Sequence, residues 1–326
     1  MFEEISQGSS MPIKCRRCKA ENAEVYLSHL NLNLCPECFM LLTERRVKHT
    51  IDAYKMLAKN DRVGIAVSGG KDSSTLAYIL NSLFDKIDMV LIYIDLGVPD
   101  YSKHCLERVE ALAEMLDKEL IVYSLEGEMG FKIGDFKQTV YGRKICSACG
   151  TIKRYLLNKI AYDLGLTKIA TGHNLDDTLE ALFNFYLEGN VEAMLRLKPY
   201  LPRTHPKFVP KIKPLIGLTD FECLLYAGYR KLPTRTVECQ FSRGSRMQRR
   251  KELLNMIAEK IPNFKHSFIN SHFKRILPNL EASLGSREIK IYECPTCGMP
   301  TSLEGMPCHF CKLTKTLRPQ LTQRSL

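Results

Sequence analysis

The stretch Val63-Gly64-Ile65-Ala66-Val67-Ser68-Gly69-Gly70-Lys71-Asp72-Ser73 decides how this chain is read. Its first five residues form a short apolar run that suits a buried strand, and Leu76, Ile79, Leu80 and Leu83 then share one helical face. Between them, two glycines let backbone amides approach phosphate oxygens, and the N-terminus of the following helix adds its partial positive charge. The loop is not a Walker A motif. Asp72 follows Lys71 where Ser or Thr is required, and Ile65 stands where that motif has its first glycine. An ordinary glycine-rich strand-to-helix turn is the plainer alternative.

The same rhythm continues on both sides. Met89 to Ile94, Leu120 to Tyr123 and Lys168 to Ala170 read as strands. Helical faces carry Leu106, Val109, Leu112 and Leu116, and then Ile152, Leu156 and Ile160. Strands alternating with helices of this length predict an α/β fold with a parallel sheet, because parallel neighbours need crossover connections. Upstream, Pro36 suits the first turn of a helix with Val47, Ile51, Tyr54 and Leu57 on one face. Residues 193–219 break the pattern with Pro199, Pro202, Pro206, Pro210 and Pro214, and with Arg196, Lys198, Arg203, Lys207, Lys211 and Lys213 but no acid. This reads as a stiff, extended, cationic loop. Thr219 and Glu222 then fit a capping box. A second basic group, Arg243, Arg246, Arg249, Arg250 and Lys251, precedes the apolar positions Leu253, Leu254 and Ile257.

The chain has 326 residues, enough for about two domains on a prior of roughly 150 residues each. Lysine plus arginine exceed aspartate plus glutamate by 47 − 36 = +11. That excess points to a polyanionic partner that gains affinity by counterion release, or to a solvated basic surface. The longest purely apolar stretch, Met89 to Ile94, is far too short to span a bilayer, so no membrane role is expected. Residues 1–10 are polar, carry no apolar leader and are set aside from fold reasoning. The expected compartment is the cytoplasm.

Of the 13 cysteines, ten lie in C-x-x-C pairs, and in a reducing compartment such pairs read as metal ligands rather than disulfides. Cys15, Cys18, Cys35 and Cys38 have the spacing of a four-cysteine zinc site, and Cys294, Cys297, Cys308 and Cys311 form a second with a shorter loop. The pair Cys146-Ser147-Ala148-Cys149 is different: a redox pair, half a metal site or two incidental thiols all fit. Its basic neighbours Arg143, Lys144, Lys153 and Arg154 would favour thiolates. Cys239 would complete a three-thiolate set, while Cys105 and Cys223, beside leucines in helical stretches, read as small buried hydrophobes. Thr171-Gly172-His173-Asn174-Leu175-Asp176-Asp177 follows a strand and brings a glycine and two carboxylates to the sheet's carboxyl edge, where ligands bind. The two aspartates also suit capping of the next helix.

Taken together, S-G-G-K-D-S, Y-G-R-K-I-C-S-A-C-G, T-G-H-N-L-D-D, a downstream E-C and the terminal cysteine modules resemble the tRNA 2-thiouridine synthetases of the pyrophosphate-loop superfamily, from Cys15 to Cys311. Asp95-Leu96-Gly97-Val98 with Tyr101-Ser102-Lys103 and C-S-A-C-G resembles the branch that thiolates the T-loop uridine. The wobble-uridine branch, a 2-thiocytidine or lysidine synthetase, and a non-catalytic tRNA-binding scaffold are the alternatives.

The resemblance implies a parallel-sheet pyrophosphate-loop domain over 46–285 between zinc-ribbon-like modules at 11–45 and 286–315. It implies adenylation of the uridine 2-oxygen by ATP, followed by displacement of AMP by sulfur. The matching nucleotide positions are Ala66, Ser68, Gly69, Gly70, Asp72, Ser73, Ile94, Lys153 and Gly172. Lys153 and Asp177 match the catalytic positions that handle Mg2+ and phosphate charge. Cys146, Cys149 and Cys239 match three ligands of a [4Fe-4S] cluster whose fourth iron is left open for sulfide. The implied partners are tRNA and, as sulfur donor, a ubiquitin-like thiocarboxylated carrier or free sulfide; a second copy in a homodimer is a candidate partner, with the oligomeric state left open by the sequence.

Overall fold

A computed structural model describes residues 13–242, 244–284 and 290–317. Residues 11 and 12, Arg243 and 286–289, which figure in the readings above, lie outside the described residues. The N-terminal cysteines flank an antiparallel hairpin, β1 (Val25–Leu27) and β2 (Leu32–Leu34), with Val25 opposite Leu34. Helix α1 (Pro36–Ala53) follows, with Pro36 in its first turn, where a missing N–H costs nothing. Phe39, Thr43, Val47 and Ile51 recur every four residues and are all buried, so this stripe faces the core. The helix ends at Ala53, which leaves Tyr54 and Leu57 beyond it rather than on its apolar face.

The central sheet builds as β3 (Arg62–Val67), α2 (Lys71–Leu83), β4 (Asp88–Asp95), α3 (Tyr101–Leu116), β5 (Leu120–Ser124), α4 (Leu125–Met129), α5 (Ile145–Asp163), β6 (Lys168–Thr171) and α6 (Leu175–Glu188). It continues with α7 (Val191–Arg196), β7 (Tyr200–Leu201), β8 (Lys211–Ile212) and α8 (Asp220–Tyr229). The spatial order is β5-β4-β3-β6-β8-β7, parallel throughout except for the β7–β8 pair. From β3 the chain winds outward through β4 and β5, then returns to place β6 on the other side. The strand order therefore reverses between β3 and β6, which opens a crevice at their carboxyl ends.

One expectation is corrected here. Residues 193–219 are not simply an extended loop: Lys211 and Ile212 pair with Ile169 and Ala170, and Tyr200 and Leu201 fold back on them. The pairing covers the edge of β6, which would otherwise expose a row of unpaired backbone groups. Thr219 and Glu222 form the capping box that the sequence predicts at the start of α8.

One face of the sheet is packed by α1, α2, α3 and α8, with Leu76, Leu80, Val109 and Tyr226 in its core. The other is packed by α5, where Ile152 and Leu156 meet Phe136 and Leu166. The remaining elements are α9 (Arg246–Lys260), α10 (Phe264–Ser271), α11 (Leu277–Leu284), a hairpin of β9 (Tyr292–Glu293) and β10 (Pro300–Thr301), and α12 (His309–Lys315). In α9 Leu254 is buried, whereas Leu253 faces solvent. The C-terminal hairpin and α12 dock on α5 by stacking Phe310 on Tyr155, ring centroids 3.7 Å apart. Cys105 and Cys223 are both fully buried, as expected of packing thiols. No helix among the described residues is long and apolar enough to cross a membrane.

Candidate functional site at the carboxyl edge of the sheet

Ser68, Gly69 and Gly70 link β3 to α2 without a break. Gly69 has φ +68°, a left-handed conformation that favours glycine, and a side chain there would press on the backbone of Cys105. Gly70 occupies the N-cap of α2. The loop is tied internally: the Ser68 N–H donates to Ser73 Oγ at 3.2 Å, and Ser73 Oγ donates to the Gly70 carbonyl at 3.0 Å. The first turn of α2, whose amides lack intrahelical partners, thus starts at the carboxyl end of β3, where the crevice opens, as an anion site requires.

Arg235 fastens this loop from outside, and nothing in the local sequence announces it. Its backbone N–H donates to the Gly69 carbonyl at 2.6 Å and its Nη1 to the Ser68 carbonyl at 3.1 Å. Its guanidinium lies 5.5 Å from the Tyr101 ring centroid. Four residues later comes Cys239, so the segment that presents this cysteine is anchored on the phosphate loop.

The β6–α6 turn closes the other side of the crevice. Gly172 packs so tightly that a Cβ there would lie 2.9 Å from the Ser73 nitrogen. Asn174, rather than either aspartate, caps α6; Asp177 completes the capping box by accepting from the Asn174 N–H at 3.3 Å. The Asn174 side chain also donates to Asp72 at 3.0 Å and to Asp220 at 3.2 Å. Lys71 Nζ bridges the same two carboxylates, at 3.0 and 2.7 Å. Burial raises the Asp72 carboxyl, assisted by Asp220 and opposed by Lys71. Burial acts likewise on Asp220, but Lys71 outweighs it and holds Asp220 below the usual carboxylate range. Asp177 pairs with Lys251, and Asp176 with Lys265 and the Asp220 N–H.

On the α5 side, Cys146 and Cys149 open the helix, and Lys153 lies one to two turns further on. Cys146 Sγ lies 2.9 Å from the carbonyl of Phe241, so the 239–241 segment is at hand. Burial raises the Cys146 and Cys149 thiols, Cys239 raises both further, and Lys153 pulls both down. Lys153 thus favours the thiolates, as its place in the sequence suggests, but burial outweighs it. Cys239 is near enough to raise the Cys146 and Cys149 thiols, on a segment that Arg235 ties to the phosphate loop, although 171 positions of chain separate Ser68 from Cys239.

Ala66 and Ile94 lie in β3 and β4 and line the same edge. Four of the basic residues read from sequence are committed to carboxylates, Lys251 to Asp177 as above. Arg250 pairs with Glu180, Lys198 with Glu281 and Lys207 with Glu293. Arg196, Arg203, Arg246 and Arg249 remain exposed.

The terminal cysteine sets are each gathered so that all four sulfurs lie within 4.8 Å of one another. Cys18 and Cys35, Cys294 and Cys311, and Cys297 and Cys308 are each 3.9 Å apart. A tetrahedron with metal–sulfur bonds of about 2.3 Å has edges of about 3.8 Å, so either set fits one zinc-sized ion. Burial opposes ionisation of Cys15 and Cys294, but backbone N–H groups aimed at each sulfur outweigh it and hold both thiols at about 6.

Residues 41–233 match the family described as PP-loop domain, and residues 14–40 match the family described as 2-thiouridine synthetase TtuA, N-terminal LIM domain. The chain is similar to the tRNA-5-methyluridine(54) 2-sulfurtransferase of Pyrococcus horikoshii, 38% identical over 92% of this chain and 93% of the relative. It is 33% identical to the Thermus thermophilus protein of the same name, over 96% of this chain and 94% of the relative. Among solved structures it resembles the U34-tRNA thiolase NcsA from Methanococcus maripaludis with its [4Fe-4S] cluster: TM-score 0.76, 29% identity, 94% of this chain and 97% of that one.

Proposed function

This chain belongs to the tRNA-5-methyluridine(54) 2-sulfurtransferase family of PP-loop proteins, and from that premise we propose that it replaces the 2-oxygen of the T-loop uridine of tRNA with sulfur at the expense of ATP. The observation that supports the reading is the packing of Gly172 against the phosphate loop, with Arg235 tying to that loop the segment that carries Cys239. In the first step the uridine 2-oxygen attacks the α-phosphorus and pyrophosphate leaves. In the second a sulfur nucleophile attacks C2 and the oxygen departs with AMP.

The amides of Ser68 to Ser73, with the α2 N-terminus, are placed to hold the leaving pyrophosphate. Ala66, Ile94 and Gly172 bound the space beside them for the rest of the nucleotide. Lys153 supplies positive charge between that space and the cysteines, where charge develops at the α-phosphoryl group. Asp177 and Asp72 offer the hard oxygen ligands that Mg2+ takes. Cys146, Cys149 and Cys239 would hold a [4Fe-4S] cluster: Cys239 is near enough to raise both α5 thiols, and the Phe241 carbonyl two residues beyond it lies 2.9 Å from Cys146 Sγ. When bound, such a cluster leaves one iron without a protein ligand, and that iron supplies the sulfur-transfer chemistry. The donor is a ubiquitin-like thiocarboxylated carrier or free sulfide. The zinc modules are proposed to span 11–45 and 286–315 around a central 46–285, and a second copy of the chain is the proposed partner in a homodimer.

The test is anaerobic incubation with tRNA, ATP and sulfide, followed by nucleoside mapping. AMP and pyrophosphate should form in step with 2-thiouridine at the T-loop position. Sulfur found only at the anticodon wobble uridine would overturn the position in favour of the second branch.

The terminal sets are proposed to hold one zinc each. Cys294→Ser should lose one of two zinc ions per chain and loosen the module that stacks Phe310 on α5, because thiolate ligation supplies much of a small module's folding free energy. Elemental analysis showing both ions retained would exclude the assignment.

A further inference from the structure

A cavity of about 1080 Å³ lies between α5, the 196–211 segment and the C-terminal cysteine module. That is at or beyond the upper end of the roughly 300–1,000 Å³ of small-ligand pockets. Its wall contains Arg154, Arg196 and Lys211 with His205 and His309, and no carboxylate. Lys213 lies two residues beyond Lys211. Among the described residues, the side chains of Arg154, Lys211 and Lys213 have no hydrogen-bond or ion-pair partner, in contrast with the paired Lys198, Lys207, Arg250 and Lys251. These cations repel one another: burial and then Arg154 lower the Lys211 ammonium, and burial and then Lys211 bring Lys213 down to about 8. Asp177, at the catalytic edge, opposes the lowering of Lys213 and is already paired with Lys251.

Unpaired cations crowded against protein are costly unless an anion completes them. ATP already has its own phosphate cradle in the loop after β3. The remaining polyanion in the reaction is the RNA. Resting on the thiolation reading above, we infer that Arg154, Lys211 and Lys213, with Arg196 at the outer rim, form a phosphate socket that grips the sugar-phosphate backbone of the substrate RNA beside the reacting uridine. Lys213, beside Lys211, is close enough to Asp177 to feel its charge, so a strand gripped by the two lysines runs toward the chemistry. The socket positions the RNA without reading its bases.

The test uses full-length protein and compares wild type with Lys211→Met/Lys213→Met, in which the aliphatic stems are kept and the charges removed. Lys213→Arg serves as a rescue variant. tRNA affinity of the double variant should fall at least tenfold at about 0.15 M salt, and the salt slope should drop by about one unit for each phosphate no longer neutralised. The ATP concentration giving half-maximal pyrophosphate release should change less than twofold, and the melting temperature should hold or rise as repulsion is relieved. Lys213→Arg should recover most of the affinity. Unchanged tRNA affinity in the double variant would overturn the socket, and a selective rise in the ATP requirement would assign it to the nucleotide instead. A wild type that binds tRNA, loses that binding on substitution, yet transfers no sulfur would uphold the socket and sink the thiolation reading.

Discussion

Cys239→Ser should strip the iron from anaerobically prepared protein and abolish sulfur transfer while leaving ATP binding intact. Wild type should be brown with about four irons per chain, as ligation of a [4Fe-4S] cluster by three cysteines requires. Loss of a partner that merely orients a metal ligand costs about 10–100-fold, so loss of a ligand should cost at least about a hundredfold in transfer. ATP binding should survive because the phosphate loop is held by Ser68, Ser73 and Arg235, none of which depends on the Cys239 sulfur. Cys223→Ser is the control. That thiol is fully buried in α8, away from the cluster position, and its replacement should leave iron content unchanged. Cys146→Ser and Cys149→Ser should behave like Cys239→Ser. The competing route has a persulfide on Cys146 or Cys149 that Cys239 resolves as a disulfide. Full single-turnover transfer by iron-free, persulfide-loaded protein would decide for that route.

Gly172→Ala should disable the nucleotide site with the cluster still in place. The added methyl would stand 2.9 Å from Ser73 N, 3.0 Å from Asp72 C and 3.1 Å from Ser73 Cα. All three are backbone atoms in the first turn of α2, so no side chain can swing aside. Either the Gly172 turn or the phosphate loop must shift, at a stability cost of about 1–3 kcal/mol. A misplacement of even 1 Å at a site that works by positioning costs about a hundredfold in rate. Pyrophosphate release per unit ATP should therefore drop about a hundredfold while the iron content remains near wild type. Gly228→Ala, in α8 with nothing within 4 Å of the new methyl, should be neutral or stabilise by about 0.5–1 kcal/mol. Equal behaviour of the two variants would show that the close approach at Gly172 has no functional weight.

Much of the fold is legible in the chain because its signals are local. The apolar run before Ser68 is β3, the later runs are β4, β5 and β6, and Thr219 with Glu222 caps α8 as spaced. The departures also have local causes. Prolines and cations between 193 and 219 mask β7 and β8, whose two-residue strands carry too little periodicity to announce themselves. Asn174 caps α6 ahead of the two aspartates because its side chain reaches the Asp177 N–H from the N-cap position. Arg235 has no sequence signal because its role is defined by two carbonyls, of Ser68 and Gly69, far away in the chain.

By itself the sequence determined the phosphate-loop chemistry and the two four-cysteine sets. In both, the functional groups lie within a few residues or one short loop, so spacing alone dictates what they can surround. Only the tertiary structure decided how the charges are spent. Lys251 reaches Asp177 and Arg250 reaches Glu180, so part of the basic stretch around α9 neutralises α6 instead of facing an RNA. Arg154 of α5 comes to face Lys211, and Lys211 to crowd Lys213, because β8 pairs beside β6, against which α5 packs. A residue's type is written in the chain, but whether its charge is cancelled depends on which distant segment the fold sets beside it.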